Sequence, residues 1–393
     1  MSEWKEYILE DIIEKFIDYR GKTPNKTTNG VPLVTAKIVK NGSILPPNEF
    51  IAVEDYDKWM TRGLPEINDV VLTTEAPLGE IALIKDKNVA LAQRIITLRG
   101  KKDIVDNPFL KYYFQNKDGQ HELQSRASGT TVFGIKAAVL KKVSIHLPPL
   151  PEQRTIGSVL SSLDDKIDLL HRQNKTLEAM AETLFRQWFV EEADEEWEEV
   201  DLDYVTQRIT DGAHKSPPTV DVGLPMASVK DMHQWGIHHD SCRKISETDY
   251  EELVRNDCRP LKDDIIIAKD GSYLKHVFVA PNDLDLVILS SIAILRPNGK
   301  YNPLLLSIHL KMNSTREALE NIVTGAVIPR IVLKDFRKFK LTLPPMKLQI
   351  KALKTLEPIY MKCWENVNQI RTLEKLRDTL LPKLMSGEVR VEL

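Results

Sequence analysis

Cysteine is scarce in this chain: three residues in 393, at Cys242, Cys258 and Cys363. So few and so scattered, they cannot build a disulfide framework, and a reducing, cytoplasmic setting is expected. The opening segment MSEWKEYILEDIIEKF has no basic stretch followed by an apolar core, so no secretory signal is expected. Long hydrophobic runs are missing too. The charge-free run from Leu286 to Leu295 is about half of the ~20 residues that a membrane span needs. No excess of positive charge exists, since the formal net charge is −3. Any surface for nucleic acid must therefore be a local basic face. Absent as well are a GxxxxGK(S/T) phosphate loop, a glycine-rich loop for a methyl donor, and an (N/D)PP(Y/F) catalytic turn. What remains is a composition 42% hydrophobic and 28% charged, able to fill the cores of two or three soluble domains.

The dominant positive feature is a repeat. Shifted by 196 positions, Leu147-Pro148-Pro149 falls on Leu343-Pro344-Pro345, Gln153 on Gln349, and Thr176-Leu177-Glu178 on Thr372-Leu373-Glu374. With offsets from 193 to 197, Gly30-Val31-Pro32-Leu33 meets Gly223-Leu224-Pro225-Met226. Asp69 likewise meets Asp264, Leu98-Arg99 meets Leu295-Arg296, and Asn107-Pro108 meets Asn302-Pro303. An ordered series across the whole chain is a tandem duplication, with small loop insertions inside one plan.

Each half begins with short β-branched runs such as VPLVTAKIV, DVVLTT and RIITL, separated by turn residues, with LKYYFQNKDGQHELQSRA reading as a helix. After the proline pair each half becomes a long helix. Ile156, Leu160, Leu163, Ile167, Leu170, Asn174, Leu177, Ala181, Leu184 and Trp188 follow 4-3 spacing, a heptad seam. The second copy reads Ala352, Leu356, Ile359, Cys363, Asn366, Ile370, Leu373, Arg377, Leu380 and Leu384. Pro358 there implies a kink or the true helix start, and Arg377 is a charged interruption. Pairing the two seams antiparallel, with Asn174 opposite Asn366, sets Leu177 against Cys363 and Ile167 against Leu373. The buried asparagine pair then fixes the register.

No catalytic constellation emerges. His233, His238, His239, Cys242 and Cys258 fit no zinc spacing and have no counterpart in the first half. The acidic run Glu191–Glu199 reads as a solvated hinge that a phosphate backbone would avoid.

LPPLPEQRTIGSVLSSLDDKIDLLHRQNKTLEAMAETLFRQWF resembles the central conserved region of type I restriction–modification specificity subunits. LPPMKLQIKALKTLEPI and LRDTLLPKLMSGEV look like its second copy, and GKTPN, GVPLVTAK and GAVIPRI resemble segments that flank the family's target-recognition domains. Met346-Lys347-Leu348 departs from the first copy's Leu150-Pro151-Glu152. The resemblance implies an α+β protein, a tandem of two α/β target-recognition domains (residues 1–146 and 193–342). Two long helices (147–192 and 343–393) would separate them as an antiparallel coiled coil with pseudo-twofold symmetry. It implies a non-catalytic subunit whose domains each read one half of a bipartite double-stranded DNA target in the major groove. The helices would set the gap and dock two adenine-methyltransferase subunits, and two motor and nuclease subunits could join. S-adenosylmethionine, ATP and Mg would then belong to those partners, with none in this chain and no membrane involved. The alternatives are a specificity subunit of a related system and a two-domain protein-binding scaffold.

Lys and Arg reach phosphates, whereas Ser, Thr, Asn, Gln and Arg at loop tips can reach base edges. Equivalent strand-end loops then nominate Lys22, Thr23, Lys26, Thr35, Lys37, Thr73, Thr74, Gln93, Arg94, Thr130 and Thr131 in the first half. In the second they nominate His214, Lys215, Ser216, Ser228, Lys230, Lys269, Ser272, Ser290, Ser291 and Arg330. The two sets differ at most positions, which implies an asymmetric target.

Overall fold

A computed structural model describes residues 4–129, 133–271, 275–319, 323–324 and 329–391. The chain divides into two compact units, one of residues 1–169 with 370–393 and one of residues 170–369. Each unit therefore holds one mixed α/β domain together with a portion of both long helices.

In the first unit a four-stranded antiparallel sheet runs in the order Ile13–Asp18, Ile95–Gly100, Val70–Thr74, Leu78–Leu83. The second unit repeats that order with Thr206–Asp211, Ile292–Pro297, Ile265–Ala268 and Val277–Val279. The central strands lack polar alternation because each sheet face has its own core, and successive side chains point to opposite faces. Val70, Leu72, Ile96 and Leu98 enter one core, while Val71 and Ile95 enter the other. Ile265 and Ile267 are likewise separated from Ile266 and Ala268. A small sheet repeats as well, with Leu33 parallel to Ala90 in the first unit and Met226 parallel to Val287 in the second.

The glutamine after each proline pair explains its recurrence. Gln153 donates to the carbonyls of Pro148 (2.8 Å) and Ile104 (3.0 Å) and accepts from the Asp106 amide (3.0 Å). Gln349 makes the same three bonds, to Pro344, Lys300 and Asn302. Each glutamine is 1% exposed and clasps the start of a long helix to its domain. The clasp also corrects the repeat register here. The helix cap equivalent to Asn302 is Asp106, whose carboxylate accepts from the Phe109 amide, and not Asn107. A second repeated clasp is the buried bidentate pair of Arg99 with Asp69 and of Arg296 with Asp264.

The first long helix spans Leu150–Arg186, ending in a π-helical turn over Gln187–Glu191, and the second spans Met346–Met385. Pro358 neither starts nor ends the second helix. It lies exposed within it, so its missing donor leaves no buried carbonyl unpaired. The segment read as one helix over residues 110–127 is two, Asn107–Gln115 and Lys117–Ser125, broken at Asn116.

Within each unit the two long helices run antiparallel. In the second unit Ala181 and Phe185 share a core with Ala352 and Leu356, while Asn174 lies beside Asn366, 2.8 Å between side chains. In the first unit Ile156 and Leu160 share a core with Leu384 and Met385. The charged seam residue Arg377 meets Asp164 there at 3.1 Å. Phe185 and Phe189 escaped the heptad reading: they continue inward from Ala181 at intervals of four, 0% and 5% exposed, beside the half-buried Leu184 and Trp188.

Candidate nucleic-acid interface

Both four-stranded sheets end in the same backbone arrangement. In the first unit the Thr74 amide donates to the Arg94 carbonyl and the Ile135 amide donates to the Thr74 carbonyl, each at 2.9 Å. In the second, the Lys269 amide donates to Ser291 (3.0 Å) and the Ile331 amide to Lys269 (3.1 Å). Three loops are thereby tied at one end of each sheet, with different side chains on the same frame.

In the first unit Arg94, in the left-handed region at φ +70°, turns its guanidinium to Glu75 at 3.1 Å. Thr23 donates to the Gln93 side chain at 3.2 Å. Arg20 donates to the Ile135 carbonyl (2.9 Å), and Arg62 donates to the carbonyls of Asp18 and Arg20. Arg20, Arg62 and Arg94, with exposed Lys22, make this strand end a local basic face on an acidic chain. Arg20 and Arg62 escaped the sequence reading, although Arg20 directly precedes Gly21-Lys22 at a strand end. Lys26 and Lys37 form a separate pair around Glu49, at 2.7 and 3.7 Å. The Lys26 ammonium holds the Glu49 carboxyl below the usual carboxylate range.

Three nominated threonines are corrected by burial. Thr35, Thr73 and Thr74 are strand-end residues 8%, 0% and 1% exposed. The Thr73 hydroxyl accepts from the Glu80 amide at 2.9 Å, so it serves the sheet rather than a base edge. Thr130, Thr131 and Ser272 lie outside the described residues.

In the second unit Asp211 gathers the side chains. Its carboxylate lies 2.6 Å from the Lys269 ammonium and 3.2 Å from the His214 imidazole. Asp211, His214, Lys269 and Arg330 line one cleft of about 420 Å³. Lys269 is nearly buried, whereas His214, Lys215, Ser216 and Arg330 are exposed. Asp211 was not nominated because nothing in the sequence distinguishes it from other strand-end acids. Ser228 is committed to a capping box with Asp231, and the Ser291 hydroxyl accepts from the Val229 amide. Both serines therefore hold loops in place, between exposed Lys230 and half-buried Ser290.

The His233 and His238 rings lie 4.3 Å apart and the Cys242 thiol donates to the His238 carbonyl at 3.3 Å, yet among the described residues no three such side chains are placed to hold a metal ion. Cys242 and Cys258 sit in different cores, and burial pushes the Cys242 thiol up to about 12. Among the described residues no helix is long and apolar enough to cross a membrane.

The family described as "Type I restriction modification DNA specificity domain" matches residues 1–179 and again 194–375. A type I restriction enzyme MjaIX specificity subunit from Methanocaldococcus jannaschii is 27% identical over 351 residues, covering 82% of this chain and 78% of that one. A putative MjaX specificity subunit from the same organism is 24% identical, covering 100% and 95%. A crystal structure of a type I restriction–modification S subunit from M. genitalium superposes with a TM-score of 0.59 at 18% identity, covering 99% and 96%.

Proposed function

The chain belongs to the type I restriction–modification DNA specificity family, and from that premise we propose how its two units divide the work. Such subunits are non-catalytic and give the restriction–modification enzyme its DNA specificity. Each unit here reads one half of a bipartite target in the major groove through the loops at its sheet end. The long helices set the unspecified gap and dock two adenine-methyltransferase subunits, while two motor and nuclease subunits join for restriction. S-adenosylmethionine, ATP and Mg act in those partners.

The observation that carries this reading is one backbone frame bearing two side-chain sets. Arg94 with Glu75 in the first unit stands where the second uses Ser291, and Lys269 stands where the first uses buried Thr74. An asymmetric target follows from unlike readers on like scaffolds. Exposed apolar side chains along the long helices, among them Leu169, Met180, Ile350 and Met361, support docking of partner helices there.

The test is methylation mapping. The chain is co-expressed with its methyltransferase subunit in a host lacking adenine methylation, and the genome is sequenced for modified bases. A split motif with a fixed gap is expected, and exchanging residues 1–145 should change one half only. A contiguous motif, or a change in both halves, would refute the division of labour.

A further inference from the structure

The two units differ at a place the repeat makes comparable. In each, a two-stranded hairpin faces the helix that follows the first domain helix cap. The hairpins pair Val39 with Ile44 and Met232 with Ile237, so Gly42 in the first occupies the position of Trp235 in the second. In the second unit Trp235 is a plug. Its ring lies 5.6 Å from that of Tyr360, the Lys311 ammonium stands 5.1 Å over it, and Tyr360 stacks edgewise on Trp364 at 6.3 Å. Its neighbour Gln234 bonds Glu178.

The first unit has the same frame without the plug. Gly42 sits at φ +83°, and a Cβ there would come 2.5 Å from the side-chain nitrogen of Gln115, the residue equivalent to Lys311. Behind the hairpin lies an empty groove of about 670 Å³. Its apolar side is formed by Pro32, Val34, Ile44 and Leu45. The opposite wall is the first long helix, where Asp164, Asp165 and Asp168 stand at the positions of Tyr360, Met361 and Trp364. Asp164 is saturated by Lys111 (2.6 Å), Tyr112 (2.7 Å) and Arg377 (3.1 Å). Asp165 and Asp168 are not: both draw on the single exposed ammonium of Lys85, at 2.8 and 3.3 Å.

The filled copy thus shows what the shape accepts, and the empty copy has exchanged an aromatic wall for a carboxylate one. We propose that this groove of the first unit docks one aromatic side chain, flanked by lysine or arginine, from a partner polypeptide. The ring lies on the apolar side, across the groove from the wall that Trp235 meets in its own unit, and the flanking cation meets Asp165 and Asp168. A phosphate backbone is repelled by the same carboxylates, so the groove is separate from the DNA-reading face. Because Tyr360, Met361 and Trp364 replace the three wall aspartates in the second unit, where Trp235 lies against Tyr360, the partner is bound once per chain although the chain is a duplicate.

The full-length chain, titrated by saturation-transfer NMR with the blocked tripeptides Lys-Trp-Lys and Glu-Trp-Glu, tests this. Lys-Trp-Lys should bind at one site, and Glu-Trp-Glu at least tenfold more weakly. Asp165→Asn with Asp168→Asn should erase that tenfold preference, and Ser158→Trp, which adds bulk at the exposed groove rim, should abolish binding. DNA affinity should stay unchanged in every variant, so failure here leaves the DNA reading standing. Equal binding of the two tripeptides, undiminished binding by both sets of folded variants, or no binding at all would overturn the proposal.

Discussion

Asn366 donates its side-chain amide to the Asn174 side-chain oxygen at 2.8 Å, and Asn174 donates its own side-chain amide to the Cys363 backbone carbonyl at 3.2 Å. Both residues are buried, and the Asn366 side-chain oxygen has no partner. Asn174→Leu alone leaves the buried Asn366 amide only its bond to the Gln173 side chain, at 2.9 Å, and should cost about 1–3 kcal/mol. Replacing both by leucine removes the polar groups together and should restore or exceed the original stability. Urea denaturation of the four proteins of this cycle decides it, and simple additivity would contradict the pairing.

Exposed and buried candidates should separate cleanly. Arg94→Ala should weaken DNA binding and make the slope of log K against log salt shallower by about 0.9, the value for one phosphate. Thr73→Val lies inside the sheet and should leave the methylated motif unchanged. A changed motif in Thr73→Val would place that residue back among the readers.

The carboxylate of Asp264 is 1% exposed and grips Arg296 through two bonds. Asp264→Ala leaves a largely buried guanidinium unpaired and should cost about 3–5 kcal/mol. Its counterpart Asp69→Ala should cost less, because Arg99 keeps the Glu66 carboxylate at 2.6 Å and the Leu64 carbonyl at 2.9 Å. Thermal unfolding of both variants measures the effect, and the recognised motif should not change.

Burial pushes the His309 imidazole, packed near Phe185 and Tyr301, down from 6.5 to about 4. Between those values the unfolded chain binds a proton that the folded chain does not. Stability from this group is therefore complete above pH 6.5 and falls as the pH drops toward 4. The loss is on the order of 2–3 kcal/mol. Denaturation midpoints at pH 7 and pH 4.5 should converge in His309→Gln, and an unaltered pH dependence would remove His309 as the cause.

The duplication, the two seams and the asparagine register were legible in the sequence because each is a periodicity or a repeated spacing. Arg377 looked like a defect in the seam until its partner Asp164 was placed, since opposite charges 213 positions apart carry no local signature. Thr73 and Thr74 were misjudged as loop residues because one or two positions decide whether a strand end is covered. Arg20 and Arg62 are held at the strand end by bonds to backbone carbonyls, which composition does not encode. The contrast of Gly42 with Trp235 was visible as letters, but its meaning required the groove.

The second unit is one uninterrupted span, residues 170–369, whereas the first takes in Ile370–Leu393. Leu384 and Met385 are 2% and 5% exposed in a core otherwise made by the first 160 residues. As the chain leaves the ribosome, the later unit can thus be finished before the earlier one. The first unit must wait, with an apolar face uncovered, until residues 370–393 arrive. A chain cut short before residue 370 would leave the first unit, rather than the second, unable to close.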